Sequence, residues 1–349
     1  MFSIVIALTI AAVIGYTAQV TGLCMVRGVS DWISGRRLRL TAILMAGFWI
    51  YLFTPLINYH DDSFLAVYSF HWLVPLGGFV FGVGAAINGA CSISTATRLS
   101  SGDLRMVLTM LGWLAGWALL IMADVEPDLH KTTYQLGLLP WFALGALVLS
   151  SILVYWKFHH RWQMWSGIML VGIFTGGLFL YEPAWSPSDF VRDAGLNLVA
   201  GSSPPPSITR ALILVTMLLG MAAGAWRFGR FRWVLPAAGE TGKHLGSGVL
   251  MGAGSALALG GNDFQLLLAL PALSLASLSA IAGMLAGIWL GARITARRPN
   301  GHRWAFAVCI ARSIIMRSAL AFEARRVWLP PFVVSVFSTI APGVTPGGD

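Results

Sequence analysis

The chain has 349 residues, of which 57% are hydrophobic and 11% are charged, and its mean hydropathy is +0.75. This composition excludes a soluble globular domain and predicts a polytopic membrane protein in a lipid bilayer, because several apolar runs reach the roughly 20 residues that cross about 30 Å of hydrocarbon. The net charge of +9 does not indicate binding to nucleic acid, since the arginines lie in short loops between apolar runs rather than in one basic domain.

Nine apolar segments predict an all-α fold with about nine transmembrane helices. Arg and Lys concentrate in the loops of one parity, whereas Asp and Glu concentrate in the loops of the other parity. Because positive charge marks the cytoplasmic side of a membrane protein, this asymmetry predicts an N-terminus outside the cell. The predicted spans are 2–24, 40–58, 71–97, 105–123, 136–156, 164–181, 208–226, 244–268 and 271–292.

Two regions differ from the predicted spans. The loop 182–207 includes Pro183, Pro187 and a run of three further prolines, so we expect an irregular cap on the outer surface. After residue 292 the composition becomes basic and rich in proline and glycine. We therefore expect a transmembrane transporter domain over 1–292 and an atypical C-terminal tail over 293–349.

An internal repeat relates two glycine-rich segments. GGFVFGVGAAINGAC at 77–91 aligns without a gap to SGVLMGAGSALALGG at 247–261, and three glycines coincide within the alignment. A duplicated segment predicts a two-fold repeat, with halves of about 1–156 and 164–292. Paired apolar segments that are interrupted by glycine are typical of transporters whose site lies between the two repeats.

The segment that runs from residue 77 to residue 98 combines membrane hydrophobicity with polar groups that a plain membrane anchor does not need. Glycine weakens a helix, so we expect a broken or re-entrant segment here, followed by a half-helix whose N-terminal N–H groups attract an anion. A thiol at this point adds a weak, uncharged hydrogen-bond donor. The predicted path residues are Asn88, Gly89, Cys91, Ser92, Ser94, Thr95 and Arg98.

Both central candidates also have simpler interpretations. Cys91 could be a small membrane hydrophobe, and Arg98 could be an interfacial arginine that extends to the headgroups. Arg98 follows Cys91 by seven residues, so on a continuous helix the two side chains would share one face.

Two other groups of residues extend the predicted path. Cys24 precedes a basic residue by three positions, and a thiol near a cation can form a thiolate suited to sulfur chemistry. Gly260, Gly261 and Asn262 lie in the second repeat at and around the position equivalent to the first-repeat cysteine. Asp263 next to them could cap the following half-helix, titrate during transport or lie at the outer surface.

Several classes of protein lack support in the sequence. The three cysteines have no CxxC spacing, which argues against a disulfide framework or a zinc site. Neither a Walker loop, nor an HExxH motif, nor a nucleophile elbow is found, so we expect no enzyme activity, no cofactor and no metal.

Three blocks resemble the YeeE/YedE family of bacterial inner-membrane sulfur transporters. They are GYTAQVTGLCMVRGVSD at 15–31, GGFVFGVGAAINGACSISTATRLSSGDLR at 77–105 and GVLMGAGSALALGGND at 248–263. The resemblance implies uptake of a thiosulfate-like anion through an hourglass-shaped helical body, in which thiol groups relay the anion by S–H hydrogen bonds. It also implies location in the inner membrane and hand-over to a small TusA-like sulfur carrier.

One departure from the family pattern leaves alternatives open. Thiosulfate transporters of the family have a third cysteine where this chain has Gly261. The substrate could therefore be another sulfur compound or a selenium compound. A membrane sulfurtransferase that forms a persulfide on Cys24 or Cys91, and a structural membrane subunit without a substrate, are the hypotheses from other classes.

Overall fold

Helices form most of the chain in a computed structural model, which describes residues 2–57, 66–122, 127, 130–133, 137–200 and 205–296. Fourteen α-helices lie in these ranges. They are α1 Phe2–Thr21, α2 Met25–Ile33, α3 Leu38–Ala46, α4 Thr54–Ile57, α5 Leu73–Asn88, α6 Ser92–Ser100, α7 Arg105–Met122, α8 Leu139–Lys157, α9 Trp162–Tyr181, α10 Pro187–Ala200, α11 Ile208–Arg227, α12 Ala238–Leu257, α13 Asn262–Phe264 and α14 Leu275–Ala296.

Shorter elements complete the described chain. A 3₁₀ helix at Gly47–Leu52 continues α3, another at His159–Arg161 precedes α9, and a π-helix at Gln265–Ala269 follows α13. Two three-residue strands, β1 Ala66–Tyr68 and β2 Lys131–Thr133, pair antiparallel. The predicted tail, 293–349, lies outside the described residues after position 296.

The prediction of an all-α membrane protein is confirmed. Within the described residues, six helical segments are long and apolar enough to cross a membrane, and two shorter apolar helices lie at Leu38–Leu52 and Arg105–Ile121. The six segments are Ser3–Ile33, Leu73–Ser100, Leu139–Lys157, His159–Tyr181, Ile208–Arg227 and Leu275–Ile294.

Three of the long helices stop inside the protein and restart after a short break. After α1, Gly22 has φ +62° and Cys24 is the N-cap of α2. After α5, Gly89 has φ +74° and Cys91 is the N-cap of α6. After α12, Gly260 has φ +144° and Gly261 is the N-cap of α13. Glycine reaches this left-handed backbone region without the steric cost of a Cβ atom, so the sequence places the breaks where the glycines lie.

Close helix packing holds the broken helices in place. Helix α12 packs between α5 and α7, and a Cβ atom at Gly252 would fall on the carbonyl oxygen of Trp113. In the same way, a Cβ atom at Gly220 of α11 would fall on the carbonyl oxygen of Ala12 in α1. Small residues let helix backbones approach this closely in a membrane, where dispersion contacts replace the hydrophobic effect between helices.

The predicted irregular cap over 182–207 is wrong for its central part. Helix α10 spans Pro187–Ala200, and its N-terminus is buried rather than external. The Ser186 hydroxyl accepts a hydrogen bond from the Asp189 N–H group at 3.2 Å and donates one to the Asp189 carboxylate at 2.8 Å. A serine cap followed by proline at the first helical position and an acid in the first turn is a helix start.

Candidate functional site

Two thiols from separate broken helices lie side by side in the protein interior. Cys24 and Cys91 are both buried and free, and their side chains interact directly. The backbone N–H of Met25 donates to the Cys91 sulfur at 3.5 Å, and the N–H of Arg27 donates to the Cys24 sulfur at 3.5 Å. Backbone N–H groups in the first turn of α2 therefore donate hydrogen bonds to both sulfur atoms.

The Cys91 side chain is also held by its own helix. Its backbone N–H donates to the Ser94 hydroxyl oxygen at 2.7 Å, and that hydroxyl lies 3.3 Å from the Cys91 sulfur as a donor. The backbone N–H of Ser94 in turn faces the Cys91 side chain, and together with the bond from the Cys91 N–H to the Ser94 hydroxyl this forms a capping box, which satisfies N–H groups that have no partner within the helix. The thiol is thus fixed at the N-terminus of α6.

The start of α6 is joined to the start of α13. The backbone N–H and the hydroxyl of Ser92 donate to the Asn262 side-chain oxygen at 3.1 and 2.6 Å. The same hydroxyl lies 3.0 Å from one carboxylate oxygen of Asp263. The starts of α6 and α13 therefore meet, and this contact brings together Ser92 and Asn262, which the sequence analysis placed separately on the predicted path.

A narrow cavity lies between these helix starts. Its volume of about 20 Å³ is enough for roughly one water molecule. Among the described residues that line it, neither Lys, Arg nor His is present. The lining residues are Leu23, Cys24, Met25, Ile43, Ala46, Cys91, Ile93, Val171, Asn262, Asp263, Leu266 and Leu267.

Asn88 and Thr95 contact each other beside the Gly89 turn and do not line this cavity. The Asn88 amide nitrogen donates to the carbonyl oxygen of Ala90 at 3.3 Å and to the Thr95 hydroxyl at 3.2 Å. Its oxygen accepts from the Thr109 hydroxyl at 2.9 Å and lies 2.9 Å from Nδ1 of His244. The sequence predicted both residues as part of the path, and the structure places them as supports of the Gly89 turn.

Arg98 also lies away from the cavity. Its guanidinium forms an ion pair with Asp103 at 2.7 Å and donates to the carbonyl oxygen of Asn88 at 3.2 Å. The second contact places a positive charge at the C-terminus of α5, which carries a partial negative charge, and satisfies its last carbonyl group. Arg39 caps the C-terminus of α1 in the same way, because it donates to the carbonyl oxygen of Thr21 at 2.9 Å.

The structure places Asp263, for which the sequence left three interpretations open, in the protein interior. Asp263 is fully buried, so the one of these interpretations that placed it at the outer surface is wrong. One carboxylate oxygen accepts from the backbone N–H of Ser188 at 2.9 Å, which means that Asp263 caps α10. Ser188 was not predicted as a site residue. The Ser-Pro-Ser-Asp sequence at 186–189 is the signal that could have identified this helix start.

Gly261 has no room for a side chain in this arrangement. A Cβ atom there would lie 2.7 Å from a carboxylate oxygen of Asp263 and 2.8 Å from Cβ of Ser188. Both distances are shorter than van der Waals contact. The space beside α13 is therefore filled by groups from α10 and from Asp263 itself.

Comparisons with known proteins cover the segment that contains these groups. The sequence model of a family described as sulphur transport matches residues 21–290. The thiosulfate transporter TsuA of Spirochaeta thermophila is 25% identical over 260 residues, which are 64% of this chain and 77% of that protein. Both cysteines, the Ser92–Asn262 contact and Asp263 lie inside the matched segment.

Proposed function

We propose that this chain, which belongs to the sulphur transport family, carries thiosulfate or a related sulfur-containing anion into the bacterial cell across the inner membrane. The family assignment confirms the resemblance to YeeE/YedE proteins seen in three blocks of the sequence. The name of the relative from Spirochaeta thermophila supports thiosulfate as the first substrate to test.

One observation carries this proposal: the starts of α2, α6 and α13 surround a narrow cavity that contains two thiols and lacks cationic side chains among the described residues. A dianion loses many kcal/mol of hydration when it leaves water, so its path needs hydrogen-bond donors. Helix N-termini and thiols provide donors without a full positive charge. An anion held by them is stabilised and can still leave.

The path must widen for each transported ion. A thiosulfate ion is several times larger than the single water that the cavity of about 20 Å³ can hold. The glycine breaks at 22, 89 and 260 allow the half-helices to shift without bending a continuous helix. We propose that Cys24 and Cys91 pass the anion between them at the narrowest point.

We infer nine membrane crossings related by a two-fold repeat. The broken pairs α1–α2, α5–α6 and α12–α13 count as single crossings, and α3 is extended by its 3₁₀ helix. The N-caps Cys91 and Gly261 occupy equivalent positions of the aligned segments, and both have extended backbones. Reporter fusions at the N-terminus and in the loop 228–237 test the proposed orientation, which requires them to lie outside and inside respectively.

A cytoplasmic partner follows from the same proposal. A TusA-like sulfur carrier would receive thiosulfate at the inner ends of the helices, where the basic loops lie. Co-purification of such a carrier with the membrane-embedded chain, competed by thiosulfate, tests this hand-over.

Growth of a sulfur-starved bacterial host that lacks its own importer tests the transport proposal. With thiosulfate as the only sulfur source, the unmodified chain should restore growth and C91A should not, because alanine removes the donor. C91S keeps a donor of similar size and should restore growth in part. If C91A supports growth as well as the unmodified chain, the role assigned to the thiol is wrong.

The direct interaction of Cys24 with Cys91 favours one alternative, a membrane sulfurtransferase. A thiolate would attack the outer sulfur of thiosulfate, sulfite would leave with the bonding electron pair, and a persulfide would remain on the cysteine. Intact-mass measurement after exposure to thiosulfate distinguishes the two functions. Transport predicts no mass increase during uptake, whereas the sulfurtransferase predicts an increase of one sulfur atom.

A further inference from the structure

Asp263 differs from every other carboxylate described in the protein by its position on the cavity wall. Its side chain is fully buried and lines the same cavity as Cys24 and Cys91. One oxygen faces the Ser92 hydroxyl at 3.0 Å and the other accepts the Ser188 N–H at 2.9 Å. Both partners are neutral, so neither cancels a negative charge on the carboxylate.

The cations near Asp263 pair with other carboxylates. Among the described residues, the structure shows no ion pair to Asp263. On α10, Asp189 forms its own ion pair with Arg192 at 3.0 Å. Two further cations lie on the described elements that pack against α13 and the π-helix. Arg98 forms an ion pair with Asp103, and Arg39 forms one with Asp31. The other ionisable groups that face the cavity are the two thiols.

This arrangement conflicts with anion passage if Asp263 is ionised. A carboxylate and a dianion in one narrow, poorly hydrated cavity repel each other, and the low local dielectric strengthens that repulsion. A proton on Asp263 removes this repulsion, because the carboxylic acid is neutral. The carboxylic acid also gains an O–H donor, which can turn from Ser92 toward the anion. Ionisable groups inside a membrane protein commonly mark proton pathways.

We propose that Asp263 carries a proton together with each transported anion, so that uptake is coupled to the inward movement of H⁺. This inference rests on the proposed transport function. The proton comes from external water when the path is open to the outside and binds a carboxylate oxygen of Asp263. It leaves to internal water after the anion has passed, which regenerates the carboxylate. The proton offsets part of the negative charge that enters the cell.

Proton movement during uptake tests the coupling. The full chain is reconstituted in liposomes that contain a trapped pH-sensitive dye, and thiosulfate is added outside without a pH gradient. The wild type should acidify the interior in proportion to the labelled thiosulfate taken up. D263N has a carboxamide of the same shape that cannot exchange a proton, so its residual uptake should proceed without acidification.

Two control variants identify the residue responsible. E240Q removes a carboxylate that pairs with Arg105 at 3.0 Å, far along α12 from the cavity, and should keep both uptake and acidification. D189N removes the neighbouring carboxyl and should also keep acidification. Loss of acidification in D189N but not in D263N would overturn the assignment to Asp263.

Infrared spectroscopy gives a readout that does not depend on transport. With thiosulfate present near neutral pH, the wild type should show the band of a protonated, buried carboxylic acid that D263N lacks. Absence of this band in the wild type overturns the inference. If the wild type takes up thiosulfate without acidification, the proton coupling is overturned and the transport function stands. If the wild type takes up no thiosulfate, the transport function itself is refuted.

Discussion

At the scale of single residues, Cys91 combines two roles in one position. Its backbone starts α6, and its sulfur accepts hydrogen bonds from the Met25 N–H and the Ser94 hydroxyl. Sulfur is soft and polarisable, so these contacts are weak enough for an anion to replace them. Ser92 contributes in the same turn by joining α6 to Asn262.

Gly261 provides the sharpest test at this scale. G261C would introduce a Cβ atom 2.7 Å from Asp263 and 2.8 Å from Ser188, so neighbouring groups must move. We expect the free energy of unfolding to fall by about 1–3 kcal/mol and uptake to fall as well, because overpacking displaces the Asp263 carboxylate. Thermal unfolding in detergent measures the first effect.

The matched control for this variant is G145C. Nothing lies within 4 Å of a Cβ atom at Gly145 in α8, so the same substitution should leave unfolding unchanged. Equal stability and faster uptake in G261C would contradict the packing described here and would support a relay that needs a third thiol.

At the scale of elements, close contacts between glycine-rich helices hold the helix breaks in register. In α12, even one methyl group at Gly252 would overlap the carbonyl oxygen of Trp113 in α7. We expect G252A to separate the two helices and to lower the free energy of unfolding by about 1–3 kcal/mol. G246A, on the same helix with open space around it, should be neutral or slightly stabilising. Thermal unfolding of both variants is the measurement, and equal loss of stability would refute the packing argument.

Asp103 is the centre of an ion-pair network that joins three helices. It pairs with Arg98 of α6 and Arg105 of α7, and Arg105 also pairs with Glu240 of α12. Burial pushes the pKa of Asp103 upward, but the hydrogen bonds and charges of Arg105 and Arg98 outweigh burial and hold that pKa below its ordinary value.

This lowered pKa sets the pH range in which Asp103 stabilises the fold. A depressed folded-state pKa means that the stabilisation is complete above the unfolded value of about 3.9 and is lost as the pH falls through the folded value. We expect D103N to lower the free energy of unfolding by about 1–3 kcal/mol at pH 7. The difference from wild type should shrink below about pH 4. A difference that is independent of pH in thermal unfolding would contradict the ion-pair account.

The helix breaks at 89 and 260 could be predicted from the sequence, because glycine and polar caps mark them locally. The proximity of Cys24 to Cys91 could not, since it depends on how two distant segments pack. The burial of α10 was missed because the prolines at and around its start also suit a surface loop. Arg98 was expected to face the path, and its pairing with Asp103 could not be read from spacing alone.

At the scale of the whole molecule, the helices that the structure describes between residues 2 and 295 enclose a small polar centre. The outer surfaces are rich in exposed leucine, valine and tryptophan, as a lipid-facing surface requires. The centre holds buried hydroxyls, an amide, a carboxylate and two thiols that hydrogen-bond across the breaks of α1, α5 and α12. In the part of the chain that the structure describes, these polar groups therefore lie together at the helix breaks and are enclosed by apolar side chains.

Uptake of labelled thiosulfate by the purified chain in liposomes is the most direct test of this account. The wild type should show saturable uptake that unlabelled thiosulfate inhibits more strongly than sulfate or selenite. Loss of one donor to a charged group costs about 1.5–3 kcal/mol, so C91A should lower uptake by at least about tenfold. Uptake by C91A at the wild-type rate, or no uptake by the folded wild type, would contradict the proposed path.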